Sequence, residues 1–292
     1  MTIWRMHIRP DSHKNSNPTR ICVENGYVGI GWRVDETPID KDDYFKKGEE
    51  KYGDPSWRSA SNLLINSMQV GDLVWLRDLD GTYFLGQITG DWKYIDDVQA
   101  RDADLLNIRP AEIYKVGRTV PGKLKNSFIP SRVIQRVSNS TVAKFSRLIF
   151  NSLSGQSAFS VSMFDSHDIL DLLDHVELED LVGLYLQTKF GYVMTPSSRS
   201  RRNDTIAYEY ELVSTANGER LYVQVKSENK KLDPEMYAHM DGNWVLYNPT
   251  GYKSKPVAKN VKLIENEELL KFMQTHKKML PISITAWMDI VK

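Results

Sequence analysis

The chain has 292 residues, of which 41% are hydrophobic and 26% charged, and its 38 basic residues balance its 38 acidic ones. This composition is typical of a soluble globular protein with room for two domains, and a net charge of zero argues against a protein that coats nucleic acid by bulk positive charge. The single cysteine, Cys22, excludes an internal disulfide and favours a reducing cytoplasm, and no apolar run approaches the ~18 residues that span a membrane.

The first half of the sequence is typical of short strands joined by turns. Residues 35–54 are strongly charged and predict a polar, partly helical insertion, whereas residues 59–68 have helical spacing behind a serine cap. Asp80-Gly81 predicts a tight turn between two strands. Regularly spaced short strands indicate a small β-barrel. The predicted strands are residues 3–8, 27–32, 73–79, 82–89, 111–116 and 132–137.

The second half has α/β character. A helix at residues 142–150 and a serine-rich stretch after it predict a helical linker that joins the halves. Residues 178–190 carry an apolar helical stripe that ends at Gly191. A stretch of serines and arginines then leads into a hairpin, two further strands and a helix, which together predict a sheet covered by helices. The predicted later elements are a short helix from residue 233 to 239, strands at 244–247 and 261–264, and a helix at 265–275.

The hairpin at residues 206–227 carries the most chemistry. Its two alternating runs flank Asn217-Gly218, which predicts a two-residue turn with Glu211 opposite Gln224 and Glu209 opposite Lys226. Because side chains alternate along a strand, these four share one face. The other, core face is predicted to hold Tyr208, Tyr210, Leu212, Val223 and Val225. Such a polar face suits a divalent cation beside a phosphate, and an ordinary exposed cross-strand ion pair is the alternative.

In this order and spacing, the second half resembles the PD-(D/E)xK nuclease superfamily, whose site takes one acid from the first helix, one from the second strand and an E-x-K from the third. The matches are Glu179 on the helix, Glu209 on the hairpin's first strand, with Glu211 as its rival, and Gln224-Val225-Lys226 on the second. Gln224 departs from the usual acid, as in the Q-x-K variant of modification-dependent restriction enzymes. The resemblance implies that Glu209, Gln224 and Glu179 hold Mg²⁺ or Mn²⁺ and that Lys226 stabilises charge on the phosphate.

The first half resembles EVE domains, which belong to the PUA-like superfamily. These domains receive a flipped, modified base in an aromatic pocket, where stacking contributes about 1–3 kcal/mol per base. The resemblance implies a pocket of Trp32, Trp92 and Tyr83, with Trp4 and Trp75 as further members. The matching strings are Trp4-Arg5-Met6, Val28-Gly29-Ile30-Gly31-Trp32, Gly71-Asp72-Leu73-Val74-Trp75 and Tyr83-Phe84-Leu85-Gly86-Gln87-Ile88-Thr89-Gly90, followed by Trp92.

Together the two resemblances imply an α+β protein with an EVE/PUA-like domain at residues 1–140, a helical linker at 141–164 and a nuclease-like domain at 165–292. The implied function is that of a type IV-like, modification-dependent restriction endonuclease. It would act in the bacterial cytoplasm as a homodimer and cut phage DNA that carries modified cytosine. Arg199, Arg201 and Arg202 would contact the DNA backbone. A non-catalytic reader of modified DNA or RNA with a degenerate nuclease fold stays open as the alternative.

Overall fold

The computed structural model of the protein describes residues 1–8, 16–194, 208–227, 230–255 and 258–291. It has α+β architecture, with helices arranged around two mixed sheets. The chain divides into two compact units, Met1–Val120 with Leu124–Ser162, and Pro121–Lys123 with Met163–Lys292. Within the described ranges, no helix is both long and apolar enough to cross a membrane.

The first unit is built on a seven-stranded sheet that curls into a half-barrel. Its strands are β1 (Ile3–Met6), β2 (Tyr27–Ile30), β3 (Leu73–Arg77), β4 (Tyr83–Ile88), β5 (Lys93–Tyr94), β6 (Asn107–Gly117) and β7 (Ile134–Arg136). They lie in the order β2-β6-β4-β3-β1-β7, with β5 paired to β6, and β1 runs parallel to β3. The sequence predicts a small barrel, but in the described residues the path ends at β2 and β7, so that the barrel stays half open.

The helices of the first half begin at side-chain caps that the sequence supplies. Asp40, Asp54 and Asn139 each accept a hydrogen bond from a backbone N–H group of the first helical turn. The charged insertion contains one of these helices, as predicted. The helices are α1 (Pro18–Asn25), α2 (Lys41–Lys51), α3 (Pro55–Asn62), a π-helix (Leu63–Ser67), α4 (Val98–Ala103), α5 (Gly122–Asn126) and α6 (Ser140–Ser154).

Helix α6 is part of the first unit, although the sequence predicts a linker at residues 141–164. The indole of Trp75 donates a hydrogen bond to the hydroxyl of Ser146 (2.8 Å) and stacks on Phe145 with the rings 8° from parallel. Phe145 and Ile149 are buried on the same helix. The apolar face of α6 thus packs into the first unit, because burying it is more favourable than exposing it in a linker.

The second unit contains a five-stranded sheet in the order β12-β11-β10-β9-β8. Its strands are β8 (Tyr192–Met194), β9 (Tyr210–Ser214), β10 (Arg220–Val225), β11 (Asn243–Tyr247) and β12 (Val261–Leu263). Strand β9 runs antiparallel to both of its neighbours, β8 and β10. Strand β11 runs parallel to both of its neighbours, β10 and β12. The helices are α7 (Ser166–Asp171), α8 (His175–Phe190), α9 (Glu235–Ala238), α10 (Asn266–Thr275), a 3₁₀ turn (Lys277–Met279) and α11 (Ile282–Met288).

The two faces of this second sheet have different surroundings. The hydroxyl of Tyr210 on β9 donates to the carbonyl of Glu179 on α8 (3.0 Å), so α8 covers the face that Tyr210 shares with Val223. Gln224, the next residue along β10, points to the other face. We call these the α8 face and the Gln224 face.

Candidate functional sites

The register of the β9–β10 hairpin differs from the prediction by two residues. Tyr222 pairs with Glu211 and Val223 with Tyr210, and the loop spans residues 215–218. The predicted two-residue turn is therefore wrong. The longer loop forms because Asn217 accepts a hydrogen bond from the N–H of Glu219 (3.0 Å), and Gly218 takes a positive φ of 74°.

This register brings Glu209 beside Gln224 and Lys226. The backbone N–H of Glu209 bonds to the carbonyl of Val223 (2.8 Å), the residue that pairs with Tyr210, so the regular ladder breaks at Glu209. Gln224 Nε2 donates to Glu209 Oε1 (2.6 Å), and Lys226 Nζ lies 3.6 Å from the same oxygen. A shift of two residues keeps the alternation of the paired residues, so the predicted polar face is preserved although the predicted pairs are not.

Glu211 has a different partner. It forms an ion pair with Arg220, nearer the hairpin loop, and it lies opposite Tyr222 rather than Gln224. The geometry therefore favours Glu209 over Glu211 as the acid of this site.

Gln224 is well anchored. Its side chain is 4% exposed, and its Nε2 also donates to the carbonyl of Val225 (3.2 Å). The NH₂ group of the Gln224 amide therefore faces Glu209. The amide oxygen could not take this place, because it and the carboxylate are both acceptors and would repel each other. Gln224 orients Glu209, while Lys226 reaches it from a side chain that is 41% exposed.

Glu179 lies on the α8 face, since its carbonyl accepts the hydrogen bond from Tyr210. The side chains of Glu209 and Gln224 occupy the opposite face of the sheet. The backbone of Glu179 thus belongs to the helix on the other side of the sheet, and a shared metal site of Glu179 with these two residues stays a prediction. Arg199, Arg201 and Arg202 lie outside the described residues.

The residues of this site could hold a magnesium ion, although they offer it few protein ligands. One carboxylate, Glu209, is present, and Gln224 would supply its amide oxygen after rotation about its last side-chain bond. Magnesium accepts one or two such oxygens when substrate phosphate and water complete its shell. A separate exposed group, Asp165, His167 and Asp168, also places ligand atoms close together, but its two aspartates form the capping box of α7.

Helix α8 carries a second unusual acid, Glu177, which the sequence analysis did not single out. Glu177 and Asp174 form the capping box at the start of α8. Burial, and next the carboxylate of Asp174, raise the pKa of Glu177 from 4.5 to about 7, although Ser283 and the N–H of Gly122 bond to it and act in the opposite direction. A β-carbon on Gly122 would lie 2.3 Å from Glu177 Oε2, so only glycine allows this close packing.

We expect the stability of the second unit to fall as the pH rises from about 4.5 to about 7. The folded unit holds the Glu177 proton more tightly than the unfolded chain, because its pKa is about 7 instead of 4.5. The contribution is full below 4.5 and lost above 7, and amounts to roughly 3 kcal/mol. Thermal unfolding across this range should show a decline that Glu177→Gln reduces and the exposed control Glu267→Gln does not. If stability declined equally with pH in Glu177→Gln and Glu267→Gln, the pH dependence would arise from groups other than Glu177.

In the first unit, Trp32 lines a cavity of about 450 Å³. This volume lies in the range of ligand pockets. Trp32 is half-buried and has a φ of 62°, a left-handed conformation that is uncommon for a bulky residue and often marks functional sites. The strand predicted to reach residue 32 ends at Ile30 instead. The cavity lining consists of Trp32, Pro55, Ser56, Ser59, Ala60, Ser131, Arg132, Val133 and Ile134.

A buried polar network holds Trp32 in this conformation. Asn107 donates to the carbonyl of Gly31 (2.6 Å) and to the hydroxyl of Tyr44 (3.0 Å), and it accepts a hydrogen bond from the indole of Trp92 (3.1 Å). The Tyr44 hydroxyl lies 3.4 Å from the carbonyl of Trp32. Asn107 was not predicted from the sequence, because the strand was expected to begin at residue 111 and begins at Asn107.

Two buried arginines support the cavity walls. Arg5 donates to the carbonyls of Arg132 and Pro130, and so fixes the segment that precedes β7. Arg109 donates to the carbonyls of Leu64 (2.7 Å) and Ile65 (2.9 Å) in the π-helix that follows α3. Since α3 and residues 131–134 line the cavity, both arginines help to maintain its shape.

We expect Asn107→Ala to lower the free energy of unfolding by about 2–3 kcal/mol, because it leaves buried groups on Gly31, Tyr44 and Trp92 without this partner. Chemical denaturation measures the loss. The control is Asn66→Ala, at an exposed asparagine that bonds to Asn62, and it should change stability by less than about 0.5 kcal/mol. Equal losses of unfolding free energy in the two variants would show that the buried network contributes no more to stability than an exposed hydrogen bond does.

The other predicted pocket aromatics have other positions. Trp92 is half-buried and contributes to the network that holds Trp32. Trp4, Trp75 and Tyr83 are core residues with 0%, 0% and 2% exposure, and they do not line the cavity. Trp4 donates to Asp72 (2.8 Å), and Tyr83 packs edge-on against Phe128. Their predicted place in the pocket was wrong, because β1 and β3 are buried on both faces and Tyr83 is buried on β4.

Part of the chain matches a known protein family. Residues 4–115 match a family described as a domain of unknown function, DUF8426. The matched range contains Trp32, Asn107 and the part of α3 that lines the cavity, and it excludes residues 131–134. No curated protein matches the chain.

Proposed function

We propose that the protein is a modification-dependent endonuclease that cuts DNA with a divalent metal. The observation that carries the proposal is the meeting of Glu209, Gln224 and Lys226 on one face of the second sheet. Strand β8 makes β9 the second and β10 the third strand after helix α8. An acid at the start of the second strand and Q-x-K at the end of the third match the arrangement of the PD-(D/E)xK superfamily, which the sequence resembles.

Each residue has a separate task in this proposal. Lys226, a half-exposed ammonium beside Glu209, stabilises negative charge on the phosphate as it is attacked. Glu209 holds the metal together with substrate oxygens, and Gln224 orients Glu209 through its 2.6 Å hydrogen bond. The metal, when bound, polarises the phosphate and lowers the pKa of a bound water.

The Trp32 cavity supports the proposal that the protein recognises a modified base. We propose that this base is a modified cytosine. A flipped base needs a preformed pocket with an aromatic surface and polar groups that select its edge. Trp32 supplies the ring, and Ser56, Ser59 and Arg132 supply hydrogen-bonding groups. The EVE-like identity of this unit, phage defence, a bacterial cytoplasm, a homodimer and backbone contacts by Arg199, Arg201 and Arg202 belong to the same proposal.

A second candidate function is that of a non-catalytic reader of modified DNA or RNA. One observation favours it: Gln224, which bonds to Glu209, stands where the superfamily has an acid. The site then keeps a single carboxylate, which lowers its charge and its attraction for a metal. The Trp32 cavity would bind a modified base equally well in this case.

The two candidates differ in their need for metal. We expect cleavage of modified duplex DNA to require Mg²⁺ or Mn²⁺ and to stop in excess chelator, while binding of that DNA persists in the chelator. Gel analysis of cleavage and a filter-binding assay under the same conditions measure both. Cleavage that continues undiminished in chelator would rule out the metal mechanism, and binding without cleavage at any metal concentration would favour the reader.

A further inference from the structure

Four aromatic rings lie on the Gln224 face, next to the proposed nuclease site. The ring centroids of Tyr208 and Tyr222 are 4.9 Å apart, and those of Tyr222 and Trp244 are 5.2 Å apart. Trp244 and Tyr237 are buried, at 4% and 7% exposure, whereas Tyr208 and Tyr222 are half-buried. We call the pair Tyr208 and Tyr222 the tyrosine ledge.

The position of Tyr208 differs from the sequence prediction. Regular alternation would put it on the core face with Tyr210, but its ring packs against Tyr222 and Trp244. Tyr222 lies opposite Glu211, on the Gln224 face. The physical reason is a bend in the chain at Glu209, just before β9 begins, which turns Tyr208 to this side of the sheet.

The ledge lies within one nucleotide of the Glu209–Lys226 site. Tyr208 directly precedes Glu209, and Tyr222 lies two residues before Gln224, which is about 7 Å along a strand. The Glu209 carboxylate also contributes, after burial, to the raised pKa of Tyr237, which places its charge near the same rings. A phosphate at Glu209 and Lys226 would therefore have an aromatic surface at the distance of its neighbouring base.

The ledge has a fixed orientation. Gly242 has a φ of 92°, and a β-carbon there would lie 2.6 Å from the ring of Tyr222. The backbone of Gly242 thus supports Tyr222 from one side while Trp244 packs beside it. On the α8 face, by contrast, Leu212 and Val223 are completely buried aliphatic residues. The two half-buried tyrosines of the ledge lie on the face that carries the charged site.

We propose that the tyrosine ledge stacks an unpaired base of the strand whose phosphate lies at Glu209 and Lys226. This inference rests on the proposed function and names its substrate class: DNA that is single-stranded or locally melted at the cut. A base inside a duplex is already stacked on its neighbours, so it reaches a tyrosine ring only after it leaves the stack. Stacking on an aromatic side chain accepts any base, since every base has a π face.

The test compares two single-stranded oligonucleotides of equal length and charge, one of thymidines and one of abasic residues. Binding is measured by fluorescence anisotropy in chelator, in the full chain carrying Trp32→Ala so that the cavity does not contribute. We expect the thymidine strand to bind at least about 5-fold more tightly than the abasic strand. Tyr208→Leu should remove this difference, whereas Tyr208→Phe should keep it. The matched control is Tyr192→Leu, at another half-buried tyrosine on β8 of the same sheet, and it should keep the difference as well.

Equal affinity of the Trp32→Ala protein for the thymidine and abasic strands would overturn the proposed role of the ledge. An unchanged ratio of these two affinities in both Tyr208→Leu and Tyr222→Leu, made in the same background, would overturn it as well. These outcomes are separate from the nuclease proposal. Metal-dependent cutting of modified duplex DNA with no preference for bases over abasic sites would leave the nuclease and remove the ledge. A base preference that Tyr208→Leu abolishes, in a protein that cuts no DNA, would leave the ledge and remove the nuclease.

Discussion

Replacing Lys226 with alanine is expected to reduce DNA cleavage by about 100-fold or more while leaving the affinity for modified DNA unchanged. Losing one positioned group that stabilises transition-state charge has an effect of this size. Lys226 lies 3.6 Å from Glu209 and 41% exposed, so it can reach a phosphate without leaving the site. It does not belong to the unit that holds the Trp32 cavity, and base reading should not depend on it.

The matched control for this experiment is Lys253→Ala. Lys253 is a more exposed lysine of the same unit, paired with Asp233 at 3.2 Å. Its removal should change cleavage by less than about 2-fold, because an exposed ion pair contributes little. Single-turnover cleavage and the thermal unfolding midpoint should be measured for both variants. A folded Lys226→Ala protein that still cuts at the parent rate would contradict the assignment of this site.

Replacing Trp32 with alanine is expected to erase the preference for modified DNA, at a loss of roughly 5- to 150-fold in affinity for the modified duplex. The indole is the large aromatic surface that lines the cavity, and stacking of one base contributes about 1–3 kcal/mol. Affinity for the unmodified duplex should change little, because that duplex offers no base to the cavity. Titration of both duplexes in chelator measures the two affinities.

Two further variants separate the ring from the backbone. Trp32→Gly also removes the indole, but glycine adopts the observed φ of 62° without strain, so this variant should be about 1 kcal/mol more stable than Trp32→Ala. Both should lose selectivity equally. Tyr114→Ala, at a half-buried tyrosine on β6 that packs against Phe150, should keep it. Equal affinity of the parent protein for modified and plain duplex would remove the reader hypothesis.

The polar face of the hairpin could be predicted from the sequence, whereas its register could not. Alternation places Glu209 and Gln224 on one face for any even shift between the strands. The number of residues in the loop depends on the hydrogen bond that the N–H of Glu219 donates to the side chain of Asn217. The Asn-Gly pair alone does not predict this bond. The bend that turns Tyr208 away from the core face is likewise a tertiary effect, supported by Tyr222 and Trp244.

The aromatic pocket of the first unit shows the same limit. The sequence identifies Trp32 and Trp75 by type and by family resemblance, and one is at a cavity while the other is in the core. The difference arises from distant residues. Asn107 holds the carbonyl of Gly31, and Gly31 itself is so close to Asp104 that a β-carbon would lie 2.1 Å from its carboxylate. Such contacts over more than 70 positions leave no local pattern.

We propose that one chain both reads a modified base and cuts the DNA that carries it. The most direct measurement incubates the purified protein with phage DNA that contains modified cytosines, and with unmodified DNA, each with and without Mg²⁺. We predict cutting of the modified DNA alone and only with Mg²⁺. Cutting of neither DNA, with selective retention of the modified DNA in a gel shift, would contradict the nuclease and identify the protein as a reader.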